Sequence, residues 1–142
     1  MESLCINCLS LFLPTEIPTV TIKHAAYNTT YGFNVTLECM IVSSPNHTHV
    51  YWQHIYNETV LNITCDSPGV DGSKVTDPSL TILHVTAEDS GDYICFAVNI
   101  VGTGNSEPTS LTVLGGIHLF TFIEPNKSWN DVWKYQLNAI WF

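Results

Sequence analysis

An all-β, two-sheet antiparallel sandwich is the fold class that this 142-residue sequence predicts. Three observations carry the expectation. Apolar and polar residues alternate with period two through residues 17–114, the pattern of strands with one buried face. The apolar runs are short, and turn residues (Gly, Pro, Asn, Asp) recur about every eight to twelve positions. No helical period of useful length interrupts this stretch. Short strands at such spacing build antiparallel sandwiches rather than strand–helix–strand units.

The elements follow in order. Val20, Thr21 and Ile22 open a strand behind Pro18. Tyr31-Gly32 leads into a second, with Phe33, Val35, Leu37, Cys39 and Ile41 on one face and Asn34, Thr36, Glu38 and Met40 on the other. Ser43-Ser44-Pro45-Asn46 reads as a loop. Val50, Trp52 and His54 alternate with Tyr51 and Gln53 in the next strand. Residues 55–79 read as irregular, with turn signals at Ser67-Pro68-Gly69, Asp71-Gly72 and Asp77-Pro78. Leu80 and Ile82, with Val85 beyond, make a short apolar strand. Tyr93, Cys95 and Ala97 share a face of the following one. Asn99 to Gly104 is a glycine-containing hairpin turn, and Leu111 and Val113 close the set.

Charge narrows the function classes. Asp, Glu, Lys and Arg make up only 12% of the chain, with 13 acidic residues against four basic ones and a net charge of −9. Phosphate contacts need clustered Lys and Arg, so nucleic acid is not an expected partner. Docking on anionic lipid by a basic patch is disfavoured for the same reason. No run of 18 apolar residues occurs, so no membrane span is expected within this chain.

Asparagine chemistry supplies the missing hydrophilicity. N-x-S/T acceptors stand at Asn28, Asn34, Asn46, Asn57, Asn62 and Asn126. With 11 Asn and 27 Ser plus Thr, chance gives about two. N-linked glycans are bulky and solubilising. Their acceptors point to the secretory pathway, hence to an extracellular, secreted or cell-surface protein in which disulfides persist. Residues 1–16 read as a degenerate signal peptide or a truncated N-terminus. The apolar stretch Leu4–Leu13 has the right length, but Glu2 stands where a positive residue belongs and Asn7 interrupts the run.

One constellation is more specific. Cys39 is followed 13 residues later by Trp52 and 56 residues later by Cys95. Residues Asp89 to Cys95 spell D-x-G-x-Y-x-C, and Cys95 to Gly102 add C-x-A-x-N-x-x-G. On these residues the stretch 17–114 resembles the immunoglobulin superfamily, in particular the intermediate-set modules of cell-adhesion and extracellular-matrix proteins. The resemblance implies a Cys39–Cys95 bridge between the sheets, with Trp52 packed on it. Such a bridge removes roughly 4 kcal/mol of unfolded-state entropy on a chain-entropy estimate. It implies a Tyr93 hydroxyl bonded back to the preceding turn, Asp89 capping that turn and Gly91 supplying backbone freedom. Many variable-type domains pair the matching Asp with an Arg. This chain has no Arg, so that salt bridge is expected to be absent unless Lys74 substitutes.

Signals for chemistry are sparse. His47, His49 and His54 cluster at the start of the Trp52 strand, with no carboxylate or Cys nearby in sequence to complete a metal site, and read as surface-loop histidines. No nucleophile elbow, phosphate loop or H-E-x-x-H occurs. The expectation is a non-enzyme without cofactor or metal. Cys5 and Cys8 make a C-x-x-C at the extreme N-terminus, without the second ligand pair a metal needs. Cys65 is left to pair with one of them, to pair with a second chain, or to stay a buried thiol. Residues 115–142 change character. Ser128 to Asp131 match a capping box, and Trp129, Val132, Trp133, Leu137, Ile140 and Trp141 recur at helical spacing, so 129–141 reads as an amphipathic helix or an exposed tail.

The function expected is protein–protein recognition by a glycosylated extracellular module, with a protein ligand or a second copy as partner, in adhesion or immune-type recognition. A spacer module from a longer matrix protein is the alternative. If Cys95 and Ala97 point inward, Phe96 and Val98 point outward, beside the hairpin residues Ile100 and Val101. No sequon lies between Asp66 and Gly116, whereas Asn57 and Asn62 are expected on the side of the other sheet. The contact face is therefore expected around Phe96, Val98, Ile100 and Val101.

Overall fold

A computed structural model describes residues 15–115. The N-terminal segment with Cys5 and Cys8, and the tail with Asn126 and the 129–141 helix, lie outside the described residues. Within them the chain is built of short strands and one turn of 3₁₀-helix, Ala87–Asp89. The expected all-β sandwich is what forms.

One sheet contains β2 (Ala26–Thr30), β5 (His49–Tyr56), β6 (Thr59–Ile63), β9 (Gly91–Val98), β10 (Thr103–Asn105) and β11 (Thr109–Leu114), in the order β2-β11-β9-β5-β6 with β10 also on β9. The facing layer contains β1 (Thr19–Ile22), β3 (Val35–Leu37), β4 (Cys39–Val42), β7 (Val70–Gly72) and β8 (Leu80–Ile82). There β3-β8-β7 form one ladder and β1-β4 another. β3 and β4 are one run of chain that changes partner at Glu38. Below that point Val35 to Leu37 pair with β8; above it Cys39 to Val42 pair with β1. The two amide groups at the change are satisfied by side chains: Glu38 N–H donates to the Tyr27 hydroxyl at 3.0 Å and Cys39 N–H to Ser79 Oγ at 3.2 Å.

The chain crosses between layers at Lys23–Ala25. There the Thr109 hydroxyl donates to His24 O at 2.8 Å and Ser110 N–H to Ala25 O at 3.1 Å. After the crossing β2 runs parallel to β11, Ala26 to Thr30 facing Ser110 to Leu114. All other strand pairs are antiparallel.

The core lies between the layers. Cys39 and Cys95 are disulfide-bonded across it. Trp52, wholly buried, sits opposite Cys95 in the β5–β9 register and donates its indole N–H to Pro78 O at 2.9 Å. Leu37, Leu80, Val85, Tyr93 and Leu111 complete the centre. Burying side chains of this size stabilises by about 1.5–3 kcal/mol each. Phe33, expected on the inward face with Val35 and Leu37, is instead exposed. The Gly32 turn, at φ +83°, delays the strand until Val35.

The segment 55–79, expected to be irregular, contains two strands. β5 continues to Tyr56, and a tight hairpin returns the chain as β6. Asn57 and Glu58 both have positive φ, 46° and 64°, as a two-residue turn with the twist of its strands requires.

Candidate functional site

Period-two geometry decides which side chains each sheet presents outward. On β9, Tyr93, Cys95 and Ala97 are buried, so Asp92, Ile94, Phe96 and Val98 face out. β5 opposes it in register: Tyr51 lies across from Phe96, His49 from Val98 and Gln53 from Ile94. β10 adds Asn105 beside Phe96 and Thr103 beside Val98. From Ile94 to Val98 and across to His49, Tyr51, Gln53, Thr103 and Asn105 these rows hold no Asp, Glu, Lys or Arg, Asp92 standing at their far end, although the chain carries a net charge of −9. Phe96 stacks flat on Tyr51, ring centroids 4.8 Å apart and planes within 5°. Phe96 and Val98 are half-buried rather than fully open. Tyr51 is not among the contact residues the sequence suggests, yet the same alternation that turns Phe96 outward turns Tyr51 outward beside it.

The hairpin beyond Val98 is rigidly built. Asn99 is buried and makes five side-chain hydrogen bonds. Its Oδ1 accepts from Val101 N–H at 2.9 Å and Gly102 N–H at 3.1 Å, closing the turn. Its Nδ2 donates to Glu16 O, Ser43 Oγ and Pro45 O at 2.7–3.2 Å, tying the hairpin to the chain entry and to the loop before β5. Ile100 and Val101 are thereby held at the tip, 83% and 43% exposed. Behind the hairpin, Gly104 packs on Pro18: a Cβ there would stand 1.8 Å from Pro18 O. Ser106, also buried, mends the ladder where β10 gives way to β11, its hydroxyl accepting from Cys95 N–H at 3.0 Å.

At the opposite end, the Tyr93 hydroxyl donates to Asp89 O at 2.8 Å. Burial, with a smaller contribution from Asp89, holds this phenol far above its ordinary pKa. Asp89 Oδ2 accepts from Thr86 N–H at 2.7 Å and from the Thr86 hydroxyl at 3.0 Å. Lys74 does not reach Asp89. It pairs with Asp71 at 3.0 Å, and that hydrogen bond lowers the Asp71 pKa and raises that of Lys74. Gly91, at φ +142°, lies against β5, where a Cβ would come within 2.6 Å of Ile55 O.

His54 is not a surface-loop histidine. It is buried on the inner face of β5, stacked on Tyr93 at 4.4 Å, with Nε2 3.1 Å from Ser90 O. His47 instead bonds Val75 O, and His49 the Thr48 hydroxyl. Among the described residues no group of three His, Cys, Asp or Glu is placed to hold a metal. Cys65 is exposed and apart from the core disulfide, which replaces the buried-thiol reading.

The sequons fall differently from expectation. Asn28, Asn34, Asn46, Asn57 and Asn62 are all exposed. β6 belongs to the same sheet as β9, not to the other one. Asn62 pairs with outward-facing Gln53, which in turn faces Ile94, so it borders the Phe96 face. Asn28, opposite Thr112 on β11, borders the far edge of the same sheet. Asn46 follows Pro45, to which Asn99 is bonded, and so stands near the hairpin. Asn57 occupies the β5–β6 turn and Asn34 lies on the other layer, its Oδ1 accepting from His84 N–H at 2.9 Å. The uncharged strip of Tyr51, Phe96, Val98, Ile100 and Val101 lies between these acceptors.

A family model described as immunoglobulin domain matches residues 17–99. The chain is 33% identical over 107 residues to a fibroblast growth factor receptor of Ciona intestinalis, matching 75% of this chain and 12% of the receptor. It is 33% identical over 88 residues to the early E3 20.2 kDa glycoprotein of human adenovirus B serotype 11 (strain BC34), matching 62% of this chain and 44% of the glycoprotein. It thus spans less than half the length of either relative. Among solved structures, the tandem Ig repeats of Dlar superpose with a TM-score of 0.54 at 28% identity, over 70% of this chain and 49% of that one.

Proposed function

Because the chain belongs to the immunoglobulin superfamily, we propose that it is an extracellular, N-glycosylated recognition module that binds a protein through the strip of Tyr51, Phe96, Val98, Ile100 and Val101. The observation that carries this reading is the strip itself. A stacked aromatic pair, uncharged neighbours and a tip residue 83% exposed make an uncharged, partly apolar surface on a strongly acidic chain. Patches of this kind mark interaction sites, and aromatic anchors dominate the energetics of such contacts. The Asn99 bonds support it, since a tip fixed before binding loses little entropy on contact. Similarity to a receptor and to a viral glycoprotein supports a cell-surface or secreted setting, in adhesion or in immune-type recognition.

The test is binding of the secreted chain to a panel of cells by flow cytometry, with light scattering for self-association. Phe96→Asp, Val98→Lys and Ile100→Asp are expected to weaken binding about tenfold or more each. Thr36→Lys, outward on the other layer, is expected to leave it unchanged. Binding that survives all three changes but fails with Thr36→Lys would place the contact on the opposite layer and refute the reading.

A structural spacer in a longer extracellular or matrix protein is the second reading. One finding favours it: the similar solved chain is a tandem repeat, of which this chain covers 49%. A folded module that binds no cell and no second copy, and loses nothing on Phe96→Asp, would decide for it.

A further inference from the structure

We propose that glycans at Asn57 and Asn62 protect the free edge strand β6, keeping it from pairing with β6 of a second copy. This rests on the glycosylation in the reading above, and it concerns a different part of the molecule from the contact strip.

An edge strand presents unpaired N–H and C=O groups to any other edge, and proteins blunt such edges with charge, proline, brevity or a bulge. Among the described residues, the edge strands β7, β1 and β2 show such devices. β7 has only three residues, one of them Asp71. β1 is preceded by Pro18 and followed by Lys23, which is salt-bridged to Glu38 at 2.7 Å. β2 is Ala-Tyr-Asn-Thr-Thr, polar at three of its five positions. β6 is the exception. Thr59-Val60-Leu61-Asn62-Ile63 contains no charge, no proline and no bulge against β5.

It is also apolar on both faces. Val60, opposite Ile55, faces outward and is 55% exposed. Leu61, opposite buried His54, faces the inner side and is nevertheless 58% exposed. It lines a cleft of about 500 Å³ with His54, Val70, Leu83 and Tyr93, because the facing layer does not reach across to cover it. Uncharged, β-branched-rich segments of this kind are the ones that pair between chains.

The sequence brackets this strand with acceptors. Asn57 stands in the turn that starts it and Asn62 near its end. In an antiparallel pairing of two β6 strands centred on Leu61, Asn62 of each copy falls opposite Val60 of the other. A glycan there lies against the incoming chain, and one at Asn57 stands beyond the end of the pair. Neighbouring strands lie only about 4.8 Å apart, too close for a bulky hydrated oligosaccharide beside the pair. The partner is a second copy because the strand is complementary to itself: centred on Leu61, its five uncharged residues meet only one another, and Glu58 in the preceding turn stands outside the pair.

Peptide mapping of the secreted full chain comes first. If Asn57 and Asn62 are unmodified while the protein is monomeric, the protective role falls, and the glycoprotein reading falls with it at these positions. If they are occupied, Asn57→Gln/Asn62→Gln is compared with Asn28→Gln/Asn34→Gln by size-exclusion chromatography with light scattering. Enzymatic deglycosylation of the folded wild-type protein stands in if the first variant is not secreted. The expected result is a doubling of mass or more for the first variant or the deglycosylated protein, reversed by adding Val60→Lys, with the Asn28/Asn34 variant still monomeric. A folded, occupied protein that stays monomeric after losing the Asn57 and Asn62 glycans overturns the inference and leaves the glycoprotein reading standing. Association that Val60→Lys does not reverse, or that the Asn28/Asn34 variant shows equally, overturns it as well.

Discussion

Replacing Asn99 by Ala tests the link between the hairpin and the rest of the sandwich. The change deletes five hydrogen bonds of 2.7–3.2 Å from a residue only 5% exposed. A neutral hydrogen bond contributes about 1 kcal/mol net, and a buried group left unpaired costs about 1–3 kcal/mol. The five are not independent. Ser43 keeps its bond to Pro45 O, and water can enter from the exposed tip to reach the Val101 and Gly102 amides. A loss of about 3 kcal/mol is therefore expected, from a domain total of about 5–15 kcal/mol. For a folded unit of roughly 100 residues this lowers the melting temperature by about 12–20 °C. Differential scanning calorimetry on the oxidised protein measures it. Asn105→Ala is the control, because exposed Asn105 makes a single side-chain bond, to Ser106 O at 3.0 Å. It is expected to cost under about 1 kcal/mol. Partner binding is expected to weaken with Asn99→Ala even well below the melting transition, since Ile100 and Val101 lose their fixed position. If Asn99→Ala melts with the Asn105 control, the side chain does not hold the hairpin and the preorganised tip is wrong.

Three further outcomes are expected. Trp52→Ala is expected to cost about 3–5 kcal/mol, as large core truncations do, and an unchanged denaturant midpoint would remove Trp52 from the core. Gly104→Ala is expected to destabilise by about 3 kcal/mol or more, because its Cβ meets the Pro18 carbonyl at 1.8 Å and backbone must move. A melting temperature equal to wild type would mean that the chain entry does not pack on β10. Tyr93 gives a pH dependence. Its phenol titrates higher in the folded state than its ordinary value of 10.0, so the stability it contributes is complete below that value and lost as pH rises beyond it. Urea unfolding followed from pH 9 to 11 is expected to show wild type losing stability faster than Tyr93→Phe, and parallel curves would refute the assignment.

The strands with one covered face were legible because burial forces alternation on them. Leu37 and Cys39, Val50 and Trp52, and Cys95 and Ala97 announce themselves this way. β6 did not, and the reason is physical. Neither of its faces is covered over Thr59 to Asn62, so no period distinguishes in from out, and its sheet could not be inferred. With β6 misplaced, Asn62 went to the wrong layer. His54 kept the parity of Trp52 but is a polar residue, and nothing in the sequence shows that Tyr93 would supply a ring for it. The outward direction of Phe96 and Val98 followed from two cysteines and a count. The half-burial of Phe96 did not, because Tyr51, a residue 45 positions away, is brought alongside it by the β5–β9 register.

The parallel pairing of β2 with β11 bears on how the module responds to tension. The chain enters beside Gly104, at the hairpin end, and leaves after Leu114 at the far end, next to Thr30. Tension applied before Thr19 and after Leu114 therefore runs along the strands, drawing β2 and β11 in opposite directions past each other. The five residue pairs from Ala26–Ser110 to Thr30–Leu114 then share the load across their hydrogen bonds instead of yielding one after another from an end. The same contact that lets the chain change layers makes it resist being stretched, and a proline placed at Thr29 or Thr112 would weaken that resistance by removing an amide from the loaded seam.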